Sequence, residues 1–352
     1  MSHFLGARGS GGGPGRPRAA AWAPRPNPRP RARRMPGQHS RFRPFPPPPA
    51  MDTVAAGVTQ LRIQRFVNVY FVDAGTPGDW VLVDTGLPGS EATIRAAAAE
   101  RYGAGVGPHA IILTHGHLDH LGSALPLATG WNVPVLVHPL ELPYVTAQAL
   151  YPPRDPTVGG SLAFMSRFFP TQLPDLSDVV QELPLDTDAV PFLMGWRWLH
   201  VPGHAPGQIA LFRDADRTLL GADAFATTHH DSVPAVLLGI PKISRAGTPF
   251  NYDWAAAERS VQVLAALRPA AIGCGHGPVI TGAPAADGLA QLAAHYPLPA
   301  HGRYVHEAAR TDASGVEHLP PPAPDHLPRQ AAALAAGMLL GIAGWLLLRR
   351  RG

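Results

Sequence analysis

The chain has 352 residues, 45% of them hydrophobic, with a formal charge of +4, which is length enough for one large domain or two ordinary ones. Its single cysteine, Cys274, excludes an internal disulfide framework and a cysteine-rich zinc module. The charge is uneven: residues 1–50 hold ten Arg and 329–352 four, without an acid in either stretch, so the 278 residues between carry −10 and argue against a nucleic-acid groove on the folded domain.

Residues 1–50 also hold twelve Pro and have neither helical nor strand periodicity. They read as a disordered Arg/Pro-rich leader, because they bury too little to offset their ordering entropy. Ordinary globular sequence begins at Met51 and runs to about residue 310. Strands are expected at 60–66, 68–73, 80–84, 110–114, 134–137, 197–201, 208–213, 217–222 and 270–274. Helices are expected at 89–102, 121–129, 139–149, 253–267 and 285–296. Alternating strands and helices predict an α/β architecture, and the unbroken strand run 60–84 predicts that part of the sheet is antiparallel. The poorly periodic stretch 149–195 reads as an insertion or lid over a substrate site. Residues 311–328 read as a Pro-rich linker. From Ala331 to Leu348 eighteen residues carry no charge before Arg349-Arg350-Arg351. As a helix they would span about 27 Å, so 329–352 is expected to anchor the protein in a membrane. With no export signal preceding it, the catalytic domain is expected on the cytoplasmic side.

The segment that carries chemistry is Thr114-His115-Gly116-His117-Leu118-Asp119-His120, directly after the apolar run 110–113. Three imidazoles and a carboxylate within six residues pack poorly but offer nitrogen and oxygen donors to a borderline divalent cation. Further donors stand at later strand ends beside Gly or small residues: His204 in Gly203-His204-Ala205-Pro206-Gly207, Asp223 after Gly221-Ala222, and His276 between Gly275 and Gly277. Cys274 is expected to be a small buried hydrophobe, and the adjacent pair His229-His230 to be solvated.

With Asp84-Thr85-Gly86, these elements resemble, in order and over about residues 60–285, the metallo-β-lactamase superfamily. The resemblance implies a four-layer αβ/βα sandwich, followed here by the apolar C-terminal helix. It implies that His115, His117 and His204 hold one Zn2+, that Asp119, His120 and His276 hold a second, and that Asp223 bridges them. Iron or manganese could replace zinc. Asp84 would orient a ligand imidazole from outside the shell. A hydroxide bridging the metals would attack the substrate, with Asp119 and Asp223 as the catalytic carboxylates. The complete ligand set is similar to the thioesterase (glyoxalase II) and lactonase branches, which implies a small ester, thioester or lactone as substrate. The bridging Asp disfavours β-lactam hydrolysis, and the −10 body disfavours the phosphodiesterase branch. A mononuclear iron oxidoreductase of the persulfide-dioxygenase kind is the alternative on the same fold.

Overall fold

The computed structural model describes residues 51–325. Its first half runs β1 (Met51–Ala55), β2 (Val58–Ile63), β3 (Val67–Asp73), β4 (Trp80–Val83), α1 (Glu91–Tyr102), β5 (Ile111–Ile112), α2 (Leu118–Leu121), α3 (Ala124–Trp131) and β6 (Val135–Val137). After a 3-10 turn at Pro139–Glu141 come α4 (Leu142–Val145), α5 (Ser161–Ser166) and β7 (Val180–Glu182). The second half holds β8 (Trp196–His200), β9 (Ile209–Arg213), β10 (Thr218–Leu220), β11 (Ala226–Thr228), α6 (Val233–Leu238), β12 (Pro241–Ser244) and α7 (Trp254–Ala266). It ends with β13 (Ala271–Gly273), β14 (Ile280–Thr281), α8 (Ala283–Ala294), β15 (Arg310–Asp312) and β16 (Gly315–His318).

Strands β1 to β7 form one sheet in chain order, antiparallel from β1 to β4 and parallel from β4 to β7. The second sheet has the order β14-β13-β10-β9-β8, parallel only between β10 and β13. Both sheets are covered on both faces, which explains why their strands read as unbroken apolar runs rather than as alternations. Successive side chains nevertheless go to different layers. Tyr70, Val72, Val83 and Ile112 of the first sheet meet Ile209, Leu211 and Leu220 of the second in a shared core. Their neighbours Val69, Phe71, Leu82 and Ile111 face outward onto Ile94, Ala97 and Leu127 of α1 and α3. On the far side Ala210, Phe212 and Leu219 pack against Trp254, Val261 and Leu264 of α7 and Leu289 of α8. The result is helix, sheet, sheet, helix, a mixed α/β fold.

Several expected elements break where local chemistry intervenes. The window 121–129 becomes two helices that part at Gly122-Ser123. Ser123 Oγ accepts from Ser90 N (2.9 Å) and donates to Leu87 O (2.7 Å), pinning the chain to the Asp84–Ser90 loop. Only a glycine fits beside it, since a Cβ on Gly122 would lie 2.4 Å from Pro88. The window 139–149 yields only the 3-10 turn and α4, divided by Pro139 and Pro143. The stretch 149–195 supplies α5 and β7, the edge strand of the first sheet. Residues 310–318, at the head of the stretch read as a linker, form the hairpin β15–β16. The leader 1–50 and the apolar segment 331–348 lie outside the described residues. Among the described residues no helix is long and apolar enough to cross a membrane.

Candidate metal centre

All seven donors singled out in the sequence converge at one edge of the two sheets. His115, His117, Asp119 and His120 occupy the loop between β5 and α3, and His117 caps α2. His204 sits in the β8–β9 turn, Asp223 follows β10, and His276 follows β13. Ligand atoms of His115, His117 and His204 lie within 4.8 Å of one another, as do those of Asp119, His120 and His276. Asp223 stands between the two groups: its Oδ2 is 3.2 Å from His276 Nε2 and 3.6 Å from His204 Nε2, and its Oδ1 is 3.7 Å from His120 Nε2. Gly275 permits this approach, because a Cβ there would fall 2.0 Å from Asp223 Oδ1.

Hydrogen bonds on the outer nitrogens assign the tautomers. Asp84, at the end of β4 with φ +60°, accepts from Thr114 N (2.8 Å) and Thr114 Oγ1 (2.9 Å). The Thr114 hydroxyl is thereby used as a donor and accepts from His115 Nδ1 at 3.1 Å, leaving His115 Nε2 bare. The same Asp84 carboxylate accepts from His120 Nδ1 at 2.8 Å, which turns His120 Nε2 to the site. His204 Nδ1 donates to Asn251 Oδ1 (3.1 Å) and His276 Nδ1 to Phe66 O (2.6 Å), which turns the Nε2 of each to the site. Asp84 therefore orients one imidazole in each triad.

The donor set fits two divalent cations on grounds independent of the spacing. His117 Nδ1 is 3.0 Å from His115 Nε2 and 2.9 Å from His204 Nε2. A proton on His117 can serve only one of those two bare nitrogens, whereas a cation among the three serves all. In the other group His120 Nε2 and Asp223 Oδ1 are buried with no hydrogen-bond partner, which is costly unless an ion completes them.

The electrostatics of the two groups differ. Burial, reinforced by the neighbouring imidazoles, holds His115 and His117 well below the ordinary histidine range, and burial also lowers His204. In the second group burial works against charge but the carboxylates prevail: Asp84, Asp119 and Asp223 push His120 up to about 9, and Asp223 and Asp119 raise His276 well above its ordinary value. Burial likewise opposes ionisation of Asp119 and Asp223, yet His120 and His276 hold both below the usual carboxylate range. The second group is thus an ion-pair network whose protons a metal must displace. A group protonated at neutral pH must release its proton to bind, so acid weakens binding. The apparent affinity of this site is expected to rise about tenfold per pH unit for each displaced proton until about pH 9. Metal titrations between about pH 6 and 8 check this, and a flat profile contradicts it.

Asp84→Asn would place an amide donor either toward Thr114 N or toward the pair Thr114 Oγ1 and His120 Nδ1, all of which already donate there. An expected loss of about 10–100-fold in metal affinity follows, measurable by competition with a chromophoric chelator; unchanged affinity would show that Asp84 does not orient the ligands.

Other residues hold the ligand loops without having stood out in the sequence. Glu141, fully buried, accepts from Gly116 N (2.8 Å) and Gly207 N (2.6 Å) and also from Tyr151 Oη. It ties the His115–His117 loop to the His204 turn. Asn68 of β3 donates to Cys274 O and Gly277 O, both at 2.8 Å, and Tyr70 Oη donates to Cys274 O at 2.6 Å. These two residues of the first sheet grip the His276 loop of the second. A lone acid in the apolar window 138–145 was the one signal that could have marked Glu141.

Cys274 is buried, and burial pushes its thiol well above the ordinary range, in keeping with its role as a small core residue. The expectation for His229-His230 fails for one of the pair. His230 is buried beside His276, with ring centroids 4.1 Å apart, because Ser244 and Gly247 hold its backbone and ring. Its Nδ1 accepts from Gly247 N at 2.9 Å, so the proton of the neutral ring sits on Nε2, and a ring nitrogen lies within 4.8 Å of ligand atoms of Asp223 and His276. A cavity of about 580 Å³ opens onto His117, Asp119, His204, Asp223, His230 and His276, within the size range of small-molecule sites.

The sequence profile of the metallo-beta-lactamase superfamily matches residues 62–276, a span that contains all seven donors and Asp84. "Probable metallo-hydrolase YflN" of Bacillus subtilis (strain 168) is 41% identical over 241 residues, covering 68% of this chain and 90% of that protein. "Probable metallo-hydrolase YybB" of the same organism is 31% identical over 172 residues, covering 48% and 67%. Among solved structures, a beta-lactamase domain protein from Burkholderia ambifaria is 21% identical, covers 72% of this chain and 77% of its own, and superposes with a TM-score of 0.48. On the matched span and the relatives, the chain belongs to the metallo-beta-lactamase superfamily, and it is a metal-dependent hydrolase.

Proposed function

We propose that the protein holds two zinc ions and hydrolyses a small ester, thioester or lactone. The observation that carries this reading is the pair of donor triads joined by Asp223, with the Nε2 atoms of four imidazoles turned inward by their outer hydrogen bonds. His115, His117 and His204 would hold one ion, Asp119, His120 and His276 the other, and Asp223 both. Bound there, divalent cations supply Lewis acidity and a water of lowered pKa. The protein's own part is to fix the donors and to exclude bulk water through the walls of the cavity. His230 lines the same cavity, and its Nε2–H would supply a donor to a carbonyl or leaving-group oxygen that gains charge. A neutral imidazole suits that role, and burial together with the neighbouring His276 lowers His230 to about 3.

All seven donors lie in one cluster, which favours two ions over the mononuclear iron site of an oxidoreductase. The test is metal analysis of protein purified without added metal, followed by a panel of thioesters, lactones, phosphodiesters and β-lactams on zinc-loaded enzyme. About two zinc per chain and turnover of the acyl substrates are expected. About one iron with negligible zinc would overturn the reading, as would turnover of phosphodiesters alone. For the uncharged segment 331–348 we propose a membrane tether that leaves the catalytic domain cytoplasmic. Deleting 329–352 is expected to move the protein from the membrane to the soluble fraction, and continued sedimentation with membranes would remove the idea.

A further inference from the structure

The cavity above the metal centre has a polar floor and walls of a different character. Away from the ligand cluster it is lined by Phe66, Leu162, Phe169, Leu173, Val236 and Phe250, among other apolar side chains. The one Lys or Arg among its lining residues is Arg154, whose guanidinium is turned to the carbonyls of Phe169 and Pro170. Tyr151 Oη is likewise spent on Glu141. Outside the ligand cluster the described lining has no Lys and no carboxylate, and both terminal nitrogens of Arg154 are engaged by those carbonyls. Two short helices build much of the wall, and their N-termini are tied together: Ser161 Oγ donates to Asp231 O (2.9 Å) and accepts from Val233 N (3.0 Å). The apolar character continues past the rim, since Leu150, Met165 and Leu237 line the cavity and are also exposed to solvent. Exposed large apolar side chains grouped at the mouth of a cavity mark a route for an apolar ligand rather than a scatter of surface residues.

From this we infer that the acyl part of the substrate is an uncharged hydrocarbon chain, seated between α5 and α6 with its carbonyl over the metal centre, so that the substrate class is a medium- to long-chain acyl ester or thioester. The inference rests on the hydrolase reading above. The reaction balances without a further reactant: the acyl carbon–oxygen or carbon–sulfur bond breaks, water supplies the new oxygen to the acid, and its proton goes to the leaving group. Each methylene drawn from water into such a wall contributes about 0.8 kcal/mol, or about fourfold in kcat/KM.

The experiment measures kcat/KM of the zinc-loaded full chain on p-nitrophenyl esters from acetate to dodecanoate, with Leu162→Trp and Val236→Trp as cavity-filling variants. A second readout needs no turnover: binding of the fluorescent fatty acid cis-parinaric acid to the same proteins. A rise of at least about 100-fold from acetate to decanoate is expected, given several buried methylenes at about fourfold each. In either Trp variant the decanoate-to-acetate ratio should fall at least about tenfold, with parallel weakening of parinarate binding. Circular dichroism checks that each variant is folded, and two positions on different helices guard against the loss of one. Turnover of acetate with a flat or falling chain-length profile would overturn the inference and leave the hydrolase reading intact. Parinarate binding lost in the variants, without turnover of any ester, would support the apolar seat and overturn the hydrolase reading. Neither binding nor turnover would overturn both.

Discussion

Replacing Asp223 by alanine is expected to lower metal content at both positions and to abolish measurable activity together with it. Among the described residues this is the carboxylate that reaches both donor groups, 3.2 Å from His276 Nε2, 3.6 Å from His204 Nε2 and 3.7 Å from His120 Nε2. Any other single ligand change removes a donor from one of the two proposed ion positions, whereas this one removes a donor from both. The loss of affinity should exceed the about 10–100-fold that follows removal of an outer partner such as Asp84. The fold should survive, because the Asp223 carboxylate supports the ion-pair network and not the packed core between the sheets. Metal-to-protein ratio by plasma emission spectrometry and activity on the same sample are the measurements. Full metal retention with normal folding would remove Asp223 from its shared position. Asp223→Asn, which keeps one oxygen acceptor without the charge, should fall between the two.

The second large effect is expected at a residue that touches neither metal nor substrate. Glu141 is buried, and burial raises its carboxyl despite three stabilising donors, Tyr151 Oη, Gly207 N and Gly116 N. Glu141→Ala would orphan the Gly207 N–H inside the protein and leave Gly116 N to Tyr151 Oη alone, itself deprived of its acceptor. At about 1–3 kcal/mol for an unsatisfied buried donor, the variant should lose at least that much stability, a large share of the about 5–15 kcal/mol that a domain possesses. Gly116 lies between His115 and His117 and Gly207 follows His204, so the same change should loosen the first triad and weaken metal binding as well. Glu141→Gln keeps one acceptor but turns an amide donor toward another N–H, and should recover only part of the loss. Urea denaturation of metal-free protein isolates the structural term, and chelator competition isolates the metal term. A Glu141→Ala protein within about 1 kcal/mol of the parent, inside the range of ordinary single substitutions, would show that water replaces the carboxylate.

The metal donors could be read from the chain because each is announced locally. Four stand within six residues, and His204, Asp223 and His276 each follow an apolar strand beside glycine, where the backbone turns toward a sheet edge. The two-sided burial of the sheets was also legible, as unbroken apolar runs. Less so were the short pieces: β7, the pair β11–β12 and the hairpin β15–β16 have three or four residues per strand and no periodicity to detect. The helix expected over 139–149 gave way to two prolines.

What holds the donors in place was not legible, for a different reason. Glu141 meets Gly207 across 66 residues, His204 meets Asn251 across 47, and Asn68 meets Cys274 across 206. His230 becomes a cavity-facing donor only because Gly247 supplies an N–H to its other nitrogen. The sequence by itself determined which side chains can bind metal and that they stand at strand ends, since both follow from residue type and local pattern. Tertiary structure alone decided which nitrogen of each imidazole faces the site, which carboxylate reaches both triads, and that the cavity above them is apolar. Those properties arise from hydrogen bonds and packing between segments that become neighbours only when the two sheets stack.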